Sequence, residues 1–572
     1  MRNQSGKPKN NHERRSALSG LIAFGCGLPY YVLAIIACWA ISKRLTFELL
    51  APLNWDSPIY WAVGRGLING LLPYRDLIEA KPPGIFIVSA LANLWPDASR
   101  AYGAFQCLIL LLLFLTPGIV LLGLSRRALN YQLASAFAFP ASALLTLFCA
   151  ERAGNFQVES FGACFIAAYA AALCFPTTAG KTRLFLLATC LAAGIGFKEP
   201  FALIAAASAI MICKDKRQFI NDLVVPLSLA LVIGASVLVA LGILDDYLQN
   251  YVTDMFGSHL YRYNSSSLWE RGMLLSPLKG DLAAFSSMLL PLLGLLAGAS
   301  IVCGLAPTCQ PTFQPNYQIG IPQPKLQLAM QLATKLVAQL TRLAFSSYLV
   351  ALAVGAGGSY FGHHFAFATP FYFALLFAAM NEISRDHPST FRSWRGNVSL
   401  VFGAAILVSS LYALQNLPAP DYAKQATDLK RWAIPARATA NAIDSILDRC
   451  GIDRYQFIGH NGPQPYGYSK HSPLGPLFYF DKVWLDEHHQ RFQRYLVKQL
   501  EEARLVVIDF NSAQLGEIQE EIASLLRTEF STIPWECARG LEMVPEPYAI
   551  LFREPVPKDG TPQLFRRDTL LP

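Results

Sequence analysis

Between Asn54 and Gly84 three short stretches concentrate carboxylates, tyrosines and cations: Asn54-Trp55-Asp56-Ser57-Pro58-Ile59-Tyr60, Gly70-Leu71-Leu72-Pro73-Tyr74-Arg75-Asp76 and Glu79-Ala80-Lys81-Pro82-Pro83-Gly84. A positioned carboxylate can take a proton from a hydroxyl. A Lys nearby is a compact charge suited to a phosphate, and an Arg adds bidentate contacts. Further along, Lys198 and Glu199 interrupt an apolar run in Gly194-Ile195-Gly196-Phe197-Lys198-Glu199-Pro200, and charges at membrane depth point to function by default. His363 and His364 follow Tyr360-Phe361-Gly362 and precede Pro370, and Arg262 stands amid His259, Tyr261, Tyr263 and Trp269, an aromatic setting suited to a sugar or a lipid headgroup. Each candidate also has a plainer reading. Asp56 can cap a helix; Asp76 and Glu79 can pair with Arg75 and Lys81; Lys198 can pair with Glu199; interfacial aromatics can be anchors. Adjacent histidines do not suit a two-His metal site on one helix face, where i,i+4 spacing is usual.

The elements that hold these residues are set by composition. The chain has 572 residues, 53% hydrophobic and 15% charged, with a mean hydropathy of +0.33, well below the roughly 25% charge of soluble domains. Of the 39 acidic residues, 21 follow Pro420. Residues 1–420 carry 29 basic and 18 acidic side chains, and residues 421–572 carry 18 and 21. The first part therefore reads as membrane-embedded and the second as water-soluble. Runs of about 20 apolar residues mark spans near 18–41, 102–124, 131–150, 156–176, 221–243, 281–305, 343–360, 364–381 and 397–415. Residues 184–213 read as two short helices joined at the charged Lys198-Glu199-Pro200, which makes about eleven spans. Lys and Arg concentrate at every second loop, among them Arg126, Arg127, Lys181, Arg183, Lys214, Lys216, Arg217 and Arg342. By the positive-inside tendency the short N-terminus (1–17) is cytoplasmic. The segments 42–101 and 244–280 and the tail 416–572 lie outside, and the Pro- and Gln-rich segment 306–342 is an inner connector.

In the tail, strand-like runs at 455–458, 482–485, 505–510 and 548–552 alternate with helical stretches near 424–449, 487–503 and 512–529, an α/β pattern. No glycine-rich phosphate loop follows a strand, so the tail receives no catalytic role of its own. Ten of the twelve cysteines lie before Pro420, where they act as small buried hydrophobes. Cys450 and Cys537 lie in the tail, where an outer compartment would let them pair. No Cys/His metal spacing occurs, and nothing points to nucleic acid.

An Asp just past the first span, a Tyr four residues on and a Pro-Tyr-Arg-Asp turn leading to Lys-Pro-Pro together resemble the PMT-type glycosyltransferases of the GT-C superfamily, which include protein O-mannosyltransferases and lipid A aminoarabinose transferases. The Gly194–Pro200 and Tyr360–Phe365 segments match later parts of that pattern in order, so the resemblance covers residues 18 to about 415. It implies a polytopic α-helical membrane protein of GT-C type with a soluble outer α/β domain, in a bacterial inner membrane. It also implies inverting transfer of a sugar from a polyprenyl-phosphate donor to an acceptor hydroxyl on the outer face. Asp56 would be the general base, with Lys81, Lys198, Arg262, His364 and His363 at the donor phosphate and Tyr60, Tyr74, Asp76 and Glu79 binding substrate. Many relatives carry Asp-Glu where this chain has Asp56-Ser57. That departure leaves the acceptor, whether glycan, lipid or protein, and any dependence on a divalent metal open; no cofactor or resident metal is called for.

Two rivals belong to other classes. A transporter or flippase of a lipid-linked substrate would also have many spans, but such proteins commonly carry paired repeats with matching broken helices, and only one charged break is present. A catalytically inactive GT-C-like partner subunit would not need the intact Asp56 and Lys81.

Overall fold

Apolar runs with no outside partner for their peptide groups satisfy those groups internally as helices, and helices dominate the chain. The computed structural model describes residues 32, 35–36, 38–49, 56–79, 81–124, 131–153, 157–174, 180–256, 325–355, 362–384, 423, 426–427, 429–459, 464–478, 490–509, 520–541, 544–545 and 548–553. Helix α1 covers residues 38–49; then follow α2 Ser57–Ile68, α3 Gly84–Ala92, α4 Ala98–Leu124, α5 Tyr131–Ala153, α6 Val158–Leu173, α7 Gly180–Phe197 and α8 Phe201–Ile212. Helix α9 runs over Lys216–Ala240 with a π-turn at Ile220–Val224, α10 over Lys325–Val354 and, after a 3-10 turn at Gly362–Ala368, α11 over Thr369–Ser384. Among the described residues, four stretches, Ala98–Leu122, Gly180–Phe197, Lys216–Ala240 and Val337–Val354, are long and apolar enough to cross a bilayer; α6 and α8 are apolar but shorter.

The sequence 184–213 breaks into two helices at Lys198–Pro200, as the charges there require. The Pro- and Gln-rich segment is different from its expectation. From Lys325 onward it is helical and continuous with the following span, because residues 325–342 are mostly Leu, Ala, Gln and Lys, strong helix formers, with no Gly or Pro among them. The expected spans 281–305 and 397–415, most of 18–41, and Arg262 lie outside the described residues.

Leu113, Leu145, Ile166, Leu191, Phe201, Ile204, Phe371 and Leu375 form one buried core that joins α4 to α8 with α10 and α11. A second core runs from Tyr60, Trp61, Tyr74 and Phe86 of the first outer segment into the tail at Tyr455, Phe457, Tyr466 and Val506. The tail holds helices α12 Ile434–Cys450, α13 Gln464–Tyr468, α14 Gln490–Glu502 and α15 Glu520–Glu529, and strands β1 Arg454–Ile458, β2 Ser472–Pro473, β3 Leu505–Asp509, β4 Phe530–Ser531 and β5 Tyr548–Arg553. The strand order is β2-β1-β3-β5-β4. Strand β1 pairs in parallel with β2 and β3, and β5 pairs antiparallel with β3 and β4, with Phe457 opposite Val507 and Val507 opposite Ile550. The run Leu-Val-Val-Ile-Asp of β3 is buried at every position, as a central strand covered on both faces should be. Of the strands expected from the sequence, 482–485 lies outside the described residues; the two-residue β2 and β4 are too short for a periodicity to announce. Cys450 and Cys537 are joined in a disulfide with an S–S distance of 2.07 Å.

Candidate active site

Helix α2 starts at Ser57 with Pro58 in its first turn, a position that suits a residue without an N–H. Asp56 precedes it in the cap position but makes no capping hydrogen bond with its side chain. Its Oδ2 instead accepts from the Gln157 side-chain Nε2 at 3.0 Å, and Gln157 is the residue before α6. Burial alone would raise the Asp56 carboxyl. Lys81, the Gln157 hydrogen bond, His363 and Lys198 together outweigh it, and the group titrates below its ordinary value. The same four partners locate Asp56 between three segments far apart in sequence.

The turn after α2 holds Lys81 in place. Tyr74 adopts φ +66°, a left-handed conformation that is uncommon outside glycine and is strained for a bulky residue. It is fully buried, its N–H bonds to Leu77 O at 2.8 Å, its hydroxyl donates to Lys81 O at 2.8 Å, and its own carbonyl accepts from Asn250 Nδ2. Asp76 accepts from Leu72 N at 2.8 Å, so its carboxylate ties the turn. Arg75 pairs with Asp246 at 2.8 Å and thereby fastens this turn to the next outer segment. Lys81 Nζ lies 3.9 Å from Oε1 of the buried Glu79. Gly84 explains how the Lys81 strap meets the end of α7: a Cβ there would stand 2.7 Å from Gly196 O, so only glycine lets the two backbones touch.

At that end of α7, Lys198 Nζ is 3.3 Å from Glu159 Oε1 and 5.9 Å from the Phe367 ring centroid. Lys198 and Glu199 do not pair with each other; the Glu199 carboxylate accepts from the Tyr251 hydroxyl. His363 and His364 sit in the 3-10 turn with ring centroids 4.4 Å apart, and His364 packs on Phe367 at 5.7 Å. The ligand atoms of Glu159, His363 and His364 all lie within 4.8 Å of one another. Tyr60 is fully buried and its hydroxyl makes no hydrogen bond among the described residues.

The structure thus brings Asp56, Tyr60, Glu79, Lys81, Lys198, His363 and His364 to one end of the helices, with Tyr74 and Asp76 in the supporting turn. All come from segments that the basic-loop pattern assigns to the outer side. Near the basic loop of Lys181 and Arg183 stands a separate pair, Arg183 with Asp222 at 2.7 Å. Two residues that sequence reasoning passed over also stand here, Gln157 and Glu159. Glu159 had a signal: an acid inside the apolar run 156–176 is subject to the same default that singled out Lys198. Gln157 is neutral and has no such signature.

The tail braces this end. Arg65 of α2 donates to Tyr466 O at 2.8 Å, Gly467 O at 3.0 Å and Asn93 Oδ1 at 3.3 Å. Ile78 N bonds to Pro476 O at 2.8 Å. In chemical terms the site offers a carboxylate held ionised by two ammonium groups, a buried phenol with capacity to donate, and two imidazoles, a set suited to proton abstraction beside a bound anion.

No protein-family model and no curated protein matches the chain. Among solved structures, the crystal structure of ArnT from Cupriavidus metallidurans bound to undecaprenyl phosphate is similar at a TM-score of 0.47 with 12% sequence identity, covering 91% of this chain and 97% of that one.

Proposed function

We propose that the chain is a polytopic membrane glycosyltransferase of the GT-C type that moves a sugar from a polyprenyl-phosphate donor to an acceptor hydroxyl at the outer face of the membrane. The observation that carries this reading is the state of Asp56: it stands where a helix cap belongs yet caps nothing, and it is held ionised by Lys81 and Lys198 beside a neutral amide. A carboxylate used only structurally would satisfy the helix end or close a simple ion pair.

In the proposed reaction the acceptor hydroxyl gives its proton to Asp56 as its oxygen forms a bond to the anomeric carbon. The bond from that carbon to the phosphate oxygen breaks on the opposite face, which inverts the centre. Lys81 and Lys198 neutralise the departing lipid phosphate, where preorganised charge lowers the barrier most. Their pairing with Glu79 and Glu159 keeps both ammonium groups in place before the donor arrives. His363 and His364 add donors, the Tyr60 hydroxyl is placed to bond a substrate oxygen, and Arg262 is assigned to the phosphate from its sequence setting alone. The lipid tail remains in the bilayer while the sugar reaches water, which accounts for a site at the ends of the helices.

The experiment that tests this is mass spectrometry of lipid co-purified with the protein in nanodiscs, repeated with Asp56→Asn. A polyprenyl-phosphate sugar enriched in the variant is expected and would name the sugar. Bulk phospholipid alone in both preparations would move the reading to a transporter or an inactive partner subunit.

A further inference from the structure

Glu159 is a fully buried carboxylate, and neither of its oxygens accepts a hydrogen bond among the described residues. Lys198 is close, at 3.3 Å, but is not aligned to donate. A buried acid that has an ion pair with Lys198 but no hydrogen bond on either oxygen keeps lone pairs to offer, and a bound cation would use them. His363 and His364 supply the rest of a ligand set. Both are in the 3-10 turn Gly362–Ala368, and the i,i+4 rule belongs to α-helices. In this turn neighbouring histidines bring a ring nitrogen each to within 4.8 Å of the Glu159 carboxylate and of each other.

We infer that Glu159, His363 and His364 form a transition-metal site of the His2Glu class, with Zn2+ as the favoured occupant and a fourth position left open. Two imidazoles and one carboxylate are the donor set of open zinc sites. Bonds of about 2.0 Å in a tetrahedral arrangement place ligand atoms about 3.3 Å apart, so closing the group takes movements of roughly 1.5 Å, within reach of side-chain rotation. His363 is partly exposed while Glu159 and His364 are buried, which gives the ion an entry path on the His363 side. Lys198 occupies the edge of the same carboxylate, so metal and ammonium compete: loading the site displaces Lys198 from Glu159. The inference concerns the binding of an ion and does not rest on the transferase reading.

The test uses the full chain in detergent with Zn2+ and Co2+ alone as probes. Zn2+ titration should find a site lost by about 100-fold or more in Glu159→Gln and His364→Ala, with tetrahedral visible bands of Co2+ in the parent that vanish in both variants. Because either variant can fail to fold, Lys198→Met provides a change of opposite sign. Removing a neighbouring cation should tighten Zn2+ by roughly tenfold or more and enlarge the rise in melting temperature that Zn2+ produces. Equal Zn2+ affinity in parent and Glu159→Gln, no Zn2+ binding by the parent, or weaker binding by a folded Lys198→Met would each overturn the inference.

Discussion

Replacing Asp56 by Asn separates its chemistry from its structural role. The amide has nearly the same shape, and its Oδ1 can accept the hydrogen that Gln157 Nε2 now gives to the carboxylate at 3.0 Å. The change trades a charged acceptor for a neutral one, a difference of about 1 kcal/mol. Lys81 and Lys198 keep Glu79 at 3.9 Å and Glu159 at 3.3 Å, so no ammonium is stranded and the fold should persist. Catalysis has no such substitute. A positioned base contributes about 10²- to 10⁴-fold, or roughly 2.7–5.4 kcal/mol at 1.36 kcal/mol per tenfold, and kcat should fall by that factor. Removing an anion beside the phosphate site should leave donor affinity equal or stronger. The assay is turnover of a polyprenyl-phosphate sugar in nanodiscs, with donor binding and thermal melting measured on the same preparation. A folded Asp56→Asn protein with kcat within threefold of the parent would refute the role of Asp56 as base.

Three further outcomes follow from the geometry. Because the cations and the Gln157 amide hold Asp56 below its ordinary value of about 3.9, transfer should stay level as pH falls to about 5. The stability that Asp56 contributes is full above its unfolded value and is lost only as pH drops through the lower folded one; pH–rate and pH–melting profiles check this, and an acid limb above pH 5 contradicts it. Lys81→Ala should raise donor KM as well as lower kcat and should shift the acid limb upward, since it removes a charge that favours the ionised carboxylate; an unchanged KM would detach Lys81 from the phosphate. Gly84→Ala puts a methyl group 2.7 Å from Gly196 O, so it should cost about 1–3 kcal/mol of stability and one to two decades of rate through displacement of the Lys81 strap. Gly234→Ala, where nothing lies within 4 Å, is the control; equal melting and rate for the two would remove the close approach as a constraint.

Much of the candidate site is legible along the chain because charge inside an apolar run is conspicuous. Lys198 announces itself in this way, while Asp56 and Lys81 show through their spacing in the first outer segment, and the break at Lys198–Pro200 follows from the cost of placing two charges and a proline within one helix. Partners are harder to read. Glu199 is adjacent to Lys198, yet the helix end points them apart and Lys198 meets Glu159 on α6, a contact across 39 residues that no local pattern encodes. Gln157 carries no charge to mark it, and the left-handed Tyr74 is held in part by Asn250, 176 residues away, which only the fold brings near. The helical start of α10 was hidden by the prolines and glutamines before it, although its residues from Lys325 favour helix by propensity. In the tail, the longer strands show as apolar runs, while β2 and β4 exist only through the neighbours they pair with.

The clasp between Arg65 and the tail has a consequence in time. The guanidinium of Arg65 is bound by carbonyls at Tyr466 and Gly467, about 400 residues later in the chain. At about 5–20 residues per second, a ribosome needs roughly 20–80 s between making the helix that follows Asp56 and making the segment that steadies it. During that interval the early helices are already laid down, but the surface under α13 is bare and Arg65 has Asn93 Oδ1 without the two tail carbonyls. The nascent chain therefore holds this end of its helices without the brace from the tail until the last quarter of the chain has been made.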